Sequence, residues 1–315
     1  MVLLGIAALG FGRYPRPGLV NPLLILEDPL FAQILLQLRL PRVLFALLAG
    51  AVLGASGFVF QMMFSNPLVE PGFLGVSQGA AFGAALAILM VPQLPGAVQV
   101  SAGFFALIGL AASAILARRF HFGGWILRLI LAGIAVSALF SSALGVLKYT
   151  ADPVRQLPEI TFWLLGSLGA ANWNSLFSIL PVTIISLTVL MLFRWRLNML
   201  SLSDRSVFAL GMHPRREKVL LILFATISTA SVISHTGLVG WAGLIVPHLA
   251  RRLCSSDARY ALPGSMLFGG IYVLVSDTIA RASFTGEIPL GVITSAAGAV
   301  LFSIFLTRRH AGAAL

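Results

Sequence analysis

Metal binding, covalent catalysis and proton transfer each need His, Cys, Asp or Glu in groups. This chain of 315 residues offers five histidines, one cysteine and ten carboxylates. The histidines, His121, His213, His235, His248 and His310, fall without ligand spacing, so no metal site is expected. Cys254 stands alone, which excludes an internal disulfide and a cysteine cluster. No Gly-rich loop ends in Lys and Ser/Thr, so nucleotide hydrolysis is not expected of this chain, and no cofactor is implied within it. No paired nucleophile and base lies inside an apolar run, which argues against an intramembrane enzyme.

The densest polar chemistry sits instead in "LNMLSLSDRSVFALGMHPRREK", Leu197 to Lys218, which holds Asp204, Glu217 and five basic residues. Apolar runs flank it on both sides. Of the whole chain, 58% is apolar and only 10% charged, against roughly 25% charged in soluble domains. Charge-free stretches span Val43–Val69, Gly72–Ala117, Leu129–Leu147, Ile160–Phe193, Val219–Ala250 and Ile288–Thr307. A helical span takes about 20 apolar residues, and without period-2 alternation these runs form helices rather than a barrel. The fold class is therefore all-α, a single polytopic membrane bundle over residues 1–315.

Punctuation by Gly, Pro and charge places spans near 43–64, 74–91, 98–117, 128–147, 175–193, 219–235, 261–280 and 290–307. Phe162–Ala171 suits an interfacial helix, and Val239–Ala250 a half-length helix packed inside the bundle. The first dozen residues fall short of a span and look like a truncated first helix; they lack signal-peptide features. The net charge of +11 does not indicate nucleic acid, because the basic residues cluster at span ends. With the loops after 64, 117, 193 and 250 and the C-terminus in the cytoplasm, that side holds fourteen basic residues. The other side holds seven: Arg13, Arg16, Arg39, Arg42, Lys148, Arg155 and Arg281. This bias obeys the positive-inside rule and puts the 197–218 loop in the cytoplasm.

Within that loop, Ser201 followed by Asp204 has capping-box spacing. Val207, Phe208 and Leu210 give one apolar side, Gly211 can close the helix and Pro214 prevents its resumption. Two uses remain open on these grounds: a helix resting on lipid headgroups, with Arg215, Arg216 and Lys218 on phosphates, or a docking element for a cytoplasmic partner.

Three stretches carry a resemblance. "RLPRVLFALLAGAVLGASGFVFQMMFSNPLVEPGFLGVSQGAA" (Arg39–Ala81), "GLVGWAGLIVPHLARRL" (Gly237–Leu253) and "LPGSMLFGGIYVLVSDTIAR" with "EIPLGVITSAAGAVLF" (Leu262–Phe302) closely resemble FecCD-type, or type II, ABC importer permeases. "FWLLGSLGAANW" (Phe162–Trp173) fits a fourth anchor, and the likeness runs from about Arg39 to Arg309.

The resemblance implies about ten transmembrane helices, a second permease copy forming a homodimer, two cytoplasmic ATPase subunits that bind ATP and Mg, and an extracytoplasmic binding protein. It implies a cargo of metal chelate, a ferric siderophore first and haem or cobalamin next, carried across the inner membrane. In the family the loop at 197–218 couples to the ATPase, which gives that role to Ser201, Asp204, Arg205, Val207, Phe208, Leu210 and Gly211. Where the family reads Leu-Gly-Glu, this chain has Leu202-Ser203-Asp204. Arg39, Arg42 and Arg281 match binding-protein docking positions, although Asp277 lies one turn from Arg281 and can pair with it. Ser137, Ser141, Ser142, Thr294 and Ser295 would line the pathway, and Trp125, Ile126 and Leu127 occupy the position of a cytoplasmic gate. The contrasting reading, a stand-alone secondary transporter or channel, needs ionisable residues at mid-membrane. The spans offer only Asp277 and His235, both near segment ends.

Overall fold

A carboxylate starts the first long helix. Asp28 Oδ1 accepts from the backbone nitrogens of Leu30 (2.9 Å) and Phe31 (3.2 Å), with Pro29 pre-set for the opening turn. In this computed structural model, which describes residues 2–12, 14, 18–20, 27–282 and 286–311, the helical run continues unbroken from Pro29 to Phe64. It passes from α2 (Pro29–Ile34) through one wide π turn at Leu35–Arg39 into α3 (Leu40–Phe64). The expected span, 43–64, is the second half of this run. The expected span starts late because Arg42 bounds the charge-free stretch at Val43, whereas in the structure Arg39 and Arg42 are engaged inside the bundle and the helix runs on past them.

The first dozen residues form α1 (Val2–Gly10), followed by a two-residue strand pair, Phe11–Gly12 against Gly18–Leu19. Arg13 and Arg16, counted in the charge bias, lie outside the described residues. The other spans appear as α4 (Val76–Met90), α5 (Ala97–Arg119), α6 (Trp125–Thr150), α8 (Trp173–Leu192), α11 (Pro214–Thr236), α13 (Ala258–Ala282) and α14 (Leu290–Ala311). Among the described residues six helical runs are long and apolar enough to cross a membrane, and α4 and α14 supply shorter apolar segments. The interfacial helix is α7 (Gln156–Leu165), which begins and ends about six residues before the expected piece. Asp152 turns the chain into it by accepting from Val154 and Arg155, and Gly166, at φ +71°, stops it. The half-length helix is α12 (Ala242–Leu253), reached through a non-helical segment at Gly237–Trp241. Such backbone survives at membrane depth only where protein surrounds it. Here Gly237 and Val239 are buried, and Ser167 N donates to Thr236 O at 2.8 Å.

α3 is the axle of the bundle. It packs along α13, α11 and α12, and most of its length is buried, whereas α5, α6 and α8 bury less than a third of their apolar windows. The packing rests on backbone-to-backbone approach at small residues. A Cβ on Gly50 would overlap the Gly269 carbonyl, one on Gly54 the Ser265 carbonyl, and one on Gly57 the Gly243 carbonyl. Seams this close leave no room for a side chain. Gly57→Val should therefore lower the thermal midpoint of the purified protein markedly, at a cost of about 1–3 kcal/mol or more. An unchanged midpoint would mean that α3 and α12 do not meet there.

Candidate functional site

At the basic end of the bundle, α8 passes into α9 (Arg194–Leu200) and then α10 (Asp204–Ala209) before α11 begins. The capping residue of α10 is not Ser201, as spacing alone implied. Ser201 closes α9, its hydroxyl donating to Asn198 O at 2.7 Å. Ser203 caps α10, accepting from Ser206 N at 3.2 Å. The correction is two residues and has a simple cause: α9 occupies the stretch up to Leu200, so the next helix cannot start before Ser203. The far end is as the sequence implied. Gly211 sits at φ +80°, its N–H bonds to Phe208 O, and Met212 N bonds to Val207 O, the paired bonds of a Schellman motif.

Two fastenings hold this helix to the membrane bundle. Val207 is fully buried and belongs to one apolar core with Leu197 and Leu200. Asp204 accepts from Lys218 Nζ at 2.8 Å, and Lys218 is itself buried at the start of α11. Arg196 pairs with Glu217 beside it. Asn198 Nδ2 donates to Asp257 at 2.7 Å, tying α9 to the start of α13, and hydrogen bonds from Arg259 hold Asp257 well below the usual carboxylate range. Three large apolar side chains stay outward, Leu202, Phe208 (67% exposed) and Leu210, among exposed Ser201, Ser203, Arg205 and Ser206. An apolar platform on a polar loop, fixed at its base, is the form of a docking surface. With Lys218 engaged by Asp204, the headgroup reading of this loop loses one of its three cations.

The neighbouring loop packs the two family motifs together. Gln61 Nε2 donates to Leu244 O at 3.0 Å and its Oε1 accepts from Arg251, while His248 Nε2 meets Pro67 O at 3.2 Å. Glu70 lies between them against Gly72 and Gly243, and burial pushes its carboxyl up to about 7.

At the opposite end the three arginines converge but turn inward. Arg39 is 7% exposed and donates to Leu9 O and Tyr14 O, both at 3.0 Å. Arg42 bridges two carboxylates, Asp277 at 2.9 Å and Glu287 at 2.8 Å. Arg281 donates to Ala8 O and stands 3.8 Å from Asp277. The exposed rim expected for Arg39 and Arg42 is thus replaced by an ion-pair knot that joins α1, α3, α13 and the segment before α14. Asp277's main partner, Arg42, is 235 residues away in sequence, so no local spacing could have revealed it.

Of the pathway residues, Ser141 and Ser142 stand exposed on α6 and Ser137 is half-buried. Thr294 turns inward instead: it is fully buried, with its hydroxyl donating to Gly291 O at 3.2 Å. Ser295 is half-buried. At the start of α6, Leu127 is exposed, Ile126 packs on the core, and the Trp125 indole nitrogen is buried without a hydrogen-bond partner among the described residues.

Residues 1–309 match the FecCD transport family. The chain belongs to that family. FecCD permeases are the transmembrane subunits of ABC transporters, so this is the membrane-spanning, non-catalytic subunit of an ATP-driven importer, working with an ATPase and a substrate-binding protein. It is a multi-pass membrane protein. The chain is 36% identical to the molybdate import system permease protein MolB of Haemophilus influenzae, over 99% of this chain and 94% of that one. It is 39% identical to the hemin transport system permease protein HmuU of Yersinia pestis, over 87% and 83%. A solved structure described as an inward-facing conformation of a putative metal-chelate type ABC transporter superposes with a TM-score of 0.90 at 36% identity, over 98% of this chain and 96% of that one.

The FecCD motif carboxylate at Glu70 gives a pH signature. An acid with a raised folded pKa binds its proton more tightly when folded, so its stabilising share is present below its ordinary value and is lost as pH rises through about 7. The thermal midpoint of the permease should fall between about pH 5 and about pH 8, and Glu70→Gln should flatten that fall. An unchanged slope in the variant would contradict the burial of this carboxyl.

Proposed function

We propose that this permease works as a homodimer in the inner membrane and imports a metal-bearing cargo, a chelated metal such as a ferric siderophore, or haem or a corrinoid. The named cargoes of its relatives, molybdate and hemin among them, share a metal centre rather than an organic scaffold. The observation that carries the reading is the platform at α10. Phe208 projects from α10, flanked by exposed Leu202 before it and Leu210 after it, and the helix is fastened underneath by Val207 and by Asp204–Lys218. A groove in the ATPase closing on that platform would move α10 and α11 together. ATP and Mg then belong to the partner, with no cofactor in this chain.

Two copies meeting along α6 and α14 would enclose the pathway between exposed faces that carry Ser141 and Ser142. A lining of small hydroxyls among apolar groups passes a large chelate without holding it, leaving specificity to the binding protein. Docking on the outer face then works by exchange. Glu287 is 43% exposed while it holds Arg42, so an incoming carboxylate of the binding protein can take its place. Rim charges of this kind speed encounter without locking the complex.

Reconstituted vesicles test both ends at once. With the ATPase and a loaded binding protein, uptake of the metal cargo should require ATP. Phe208→Ala should cut both uptake and ATPase association at least about tenfold, the effect of a hot-spot aromatic. Glu287→Ala should tighten binding-protein association at low salt. Accumulation without any ATPase subunit, or full coupling in Phe208→Ala, would overturn the reading; unchanged association in Glu287→Ala would remove the exchange step alone.

A further inference from the structure

Between α5, α6 and α11, at the basic end, lies a cavity of about 440 Å³ whose lining includes Trp125 at the start of α6. Its mouth carries Arg118, Arg128 and Arg215, and its depth is apolar, with Leu110 and Leu223 among the lining. Two of the three side-chain nitrogens that are buried without a hydrogen-bond partner among the described residues belong to this cavity: Trp125 Nε1 and Arg128 Nε. Buried donors are nearly always satisfied, so a pair of orphans in one basic cavity marks where an acceptor is missing. Arg128 spends one other nitrogen on Phe120 O at 2.9 Å. Neither Arg118 nor Arg215 has a carboxylate within ion-pair distance among the described residues.

We propose that this cavity binds an anionic phospholipid of the cytoplasmic leaflet, its phosphate held by Arg118, Arg128, Arg215 and the Trp125 indole N–H, its acyl chains lying along the α5–α11 seam. The apolar depth decides for lipid over an acidic segment of the ATPase. A carboxylate arriving from the cytoplasm satisfies the arginines and leaves the apolar depth empty. The seam also opens sideways onto hydrocarbon, because Leu107, Val219 and Leu223 along it are all exposed in spanning helices. It continues upward: one turn beyond Leu110 and Leu223, Leu107 and Ile227 line a second groove of about 780 Å³ that runs to the outer end. Basic pockets between transmembrane helices at the cytoplasmic side are the expected receptors for anionic headgroups. Trp125 is thereby assigned to a lipid site beside the start of α6, and the position expected to gate the pathway becomes one that membrane composition can influence.

The test is native mass spectrometry of the full-length permease in detergent, titrated with phosphatidylglycerol and, separately, with phosphatidylethanolamine. The wild type should retain phosphatidylglycerol preferentially. Arg128→Gln and Arg215→Gln should each weaken retention about fivefold, the share of one surface cation, and Arg128→Lys should recover part of it. Arg216→Gln, on the same turn but outside the cavity, should leave retention unchanged. Arg215 is exposed, so its variant keeps the test valid if Arg128→Gln fails to fold. Equal retention of both lipids by every variant would overturn the proposal. Displacement of the lipid by millimolar inorganic phosphate would make this a headgroup-independent anion site, and displacement by added ATPase subunits would make it a protein contact; either result also overturns it.

Discussion

Hydrocarbon gives no hydrophobic reward for pressing one apolar helix against another, so a membrane bundle holds together where backbones can touch. In this permease that contact is concentrated on one helix. Gly50, Gly54 and Gly57 of α3 meet the carbonyls of Gly269, Ser265 and Gly243, which draws α13 and the half-length α12 onto a single axle. α12 carries the Pro-His-Arg motif down to the loop of Glu70, and α13 carries Asp277 up to Arg42. Both functional ends of the molecule are thus referred to the same glycine seam.

That arrangement explains how a small push could travel. α10 is joined to α11 by Asp204–Lys218, α11 lies along α3, and α9 is pinned to α13 through Asn198 and Asp257. Force applied at Phe208 meets no loose joint before the axle. At the far end the Arg42 knot ties α3 to α13 and to the segment before α14. A change in the angle between α3 and its neighbours therefore has a route to the opposite end of the bundle. Packed interfaces of this kind switch between discrete arrangements rather than bending continuously.

Much of the fold was legible because its signals are local. Apolar runs, Gly and Pro placed the long helices after the first run to within about five residues, and the half-length α12 followed from counting. Non-local features were not. The extra turns ahead of α3 were hidden by Arg39 and Arg42, which end the charge-free stretch although both are engaged inside the bundle. Ser201 and Ser203 are both good caps, and only the end of α9 at Leu200 decides between them. The arginines of "RLPR" read as exposed because their acceptors, Leu9 O, Tyr14 O, Asp277 and Glu287, lie far away in the chain. The same holds for Thr294: its hydroxyl gives no sign of which face of α14 is turned inward. The helix at α10 was legible in part: its amphipathic sequence and its stop at Gly211 and Pro214 are local, whereas its cap at Ser203, its tie to Lys218 and the burial of Val207 rather than Phe208 depend on α9 and α11.

On this structure α10 is part of the rigid bundle before any ATPase arrives. Hydrogen–deuterium exchange on the isolated permease addresses it directly, through the amides of residues 206–212. Protection comparable to the first turns of α11 is expected, lost in Lys218→Met, which removes the tie while keeping the buried stem. Rapid exchange of these amides in the wild type, with α11 protected, would contradict it, because a loop that opens freely cannot carry motion into the membrane.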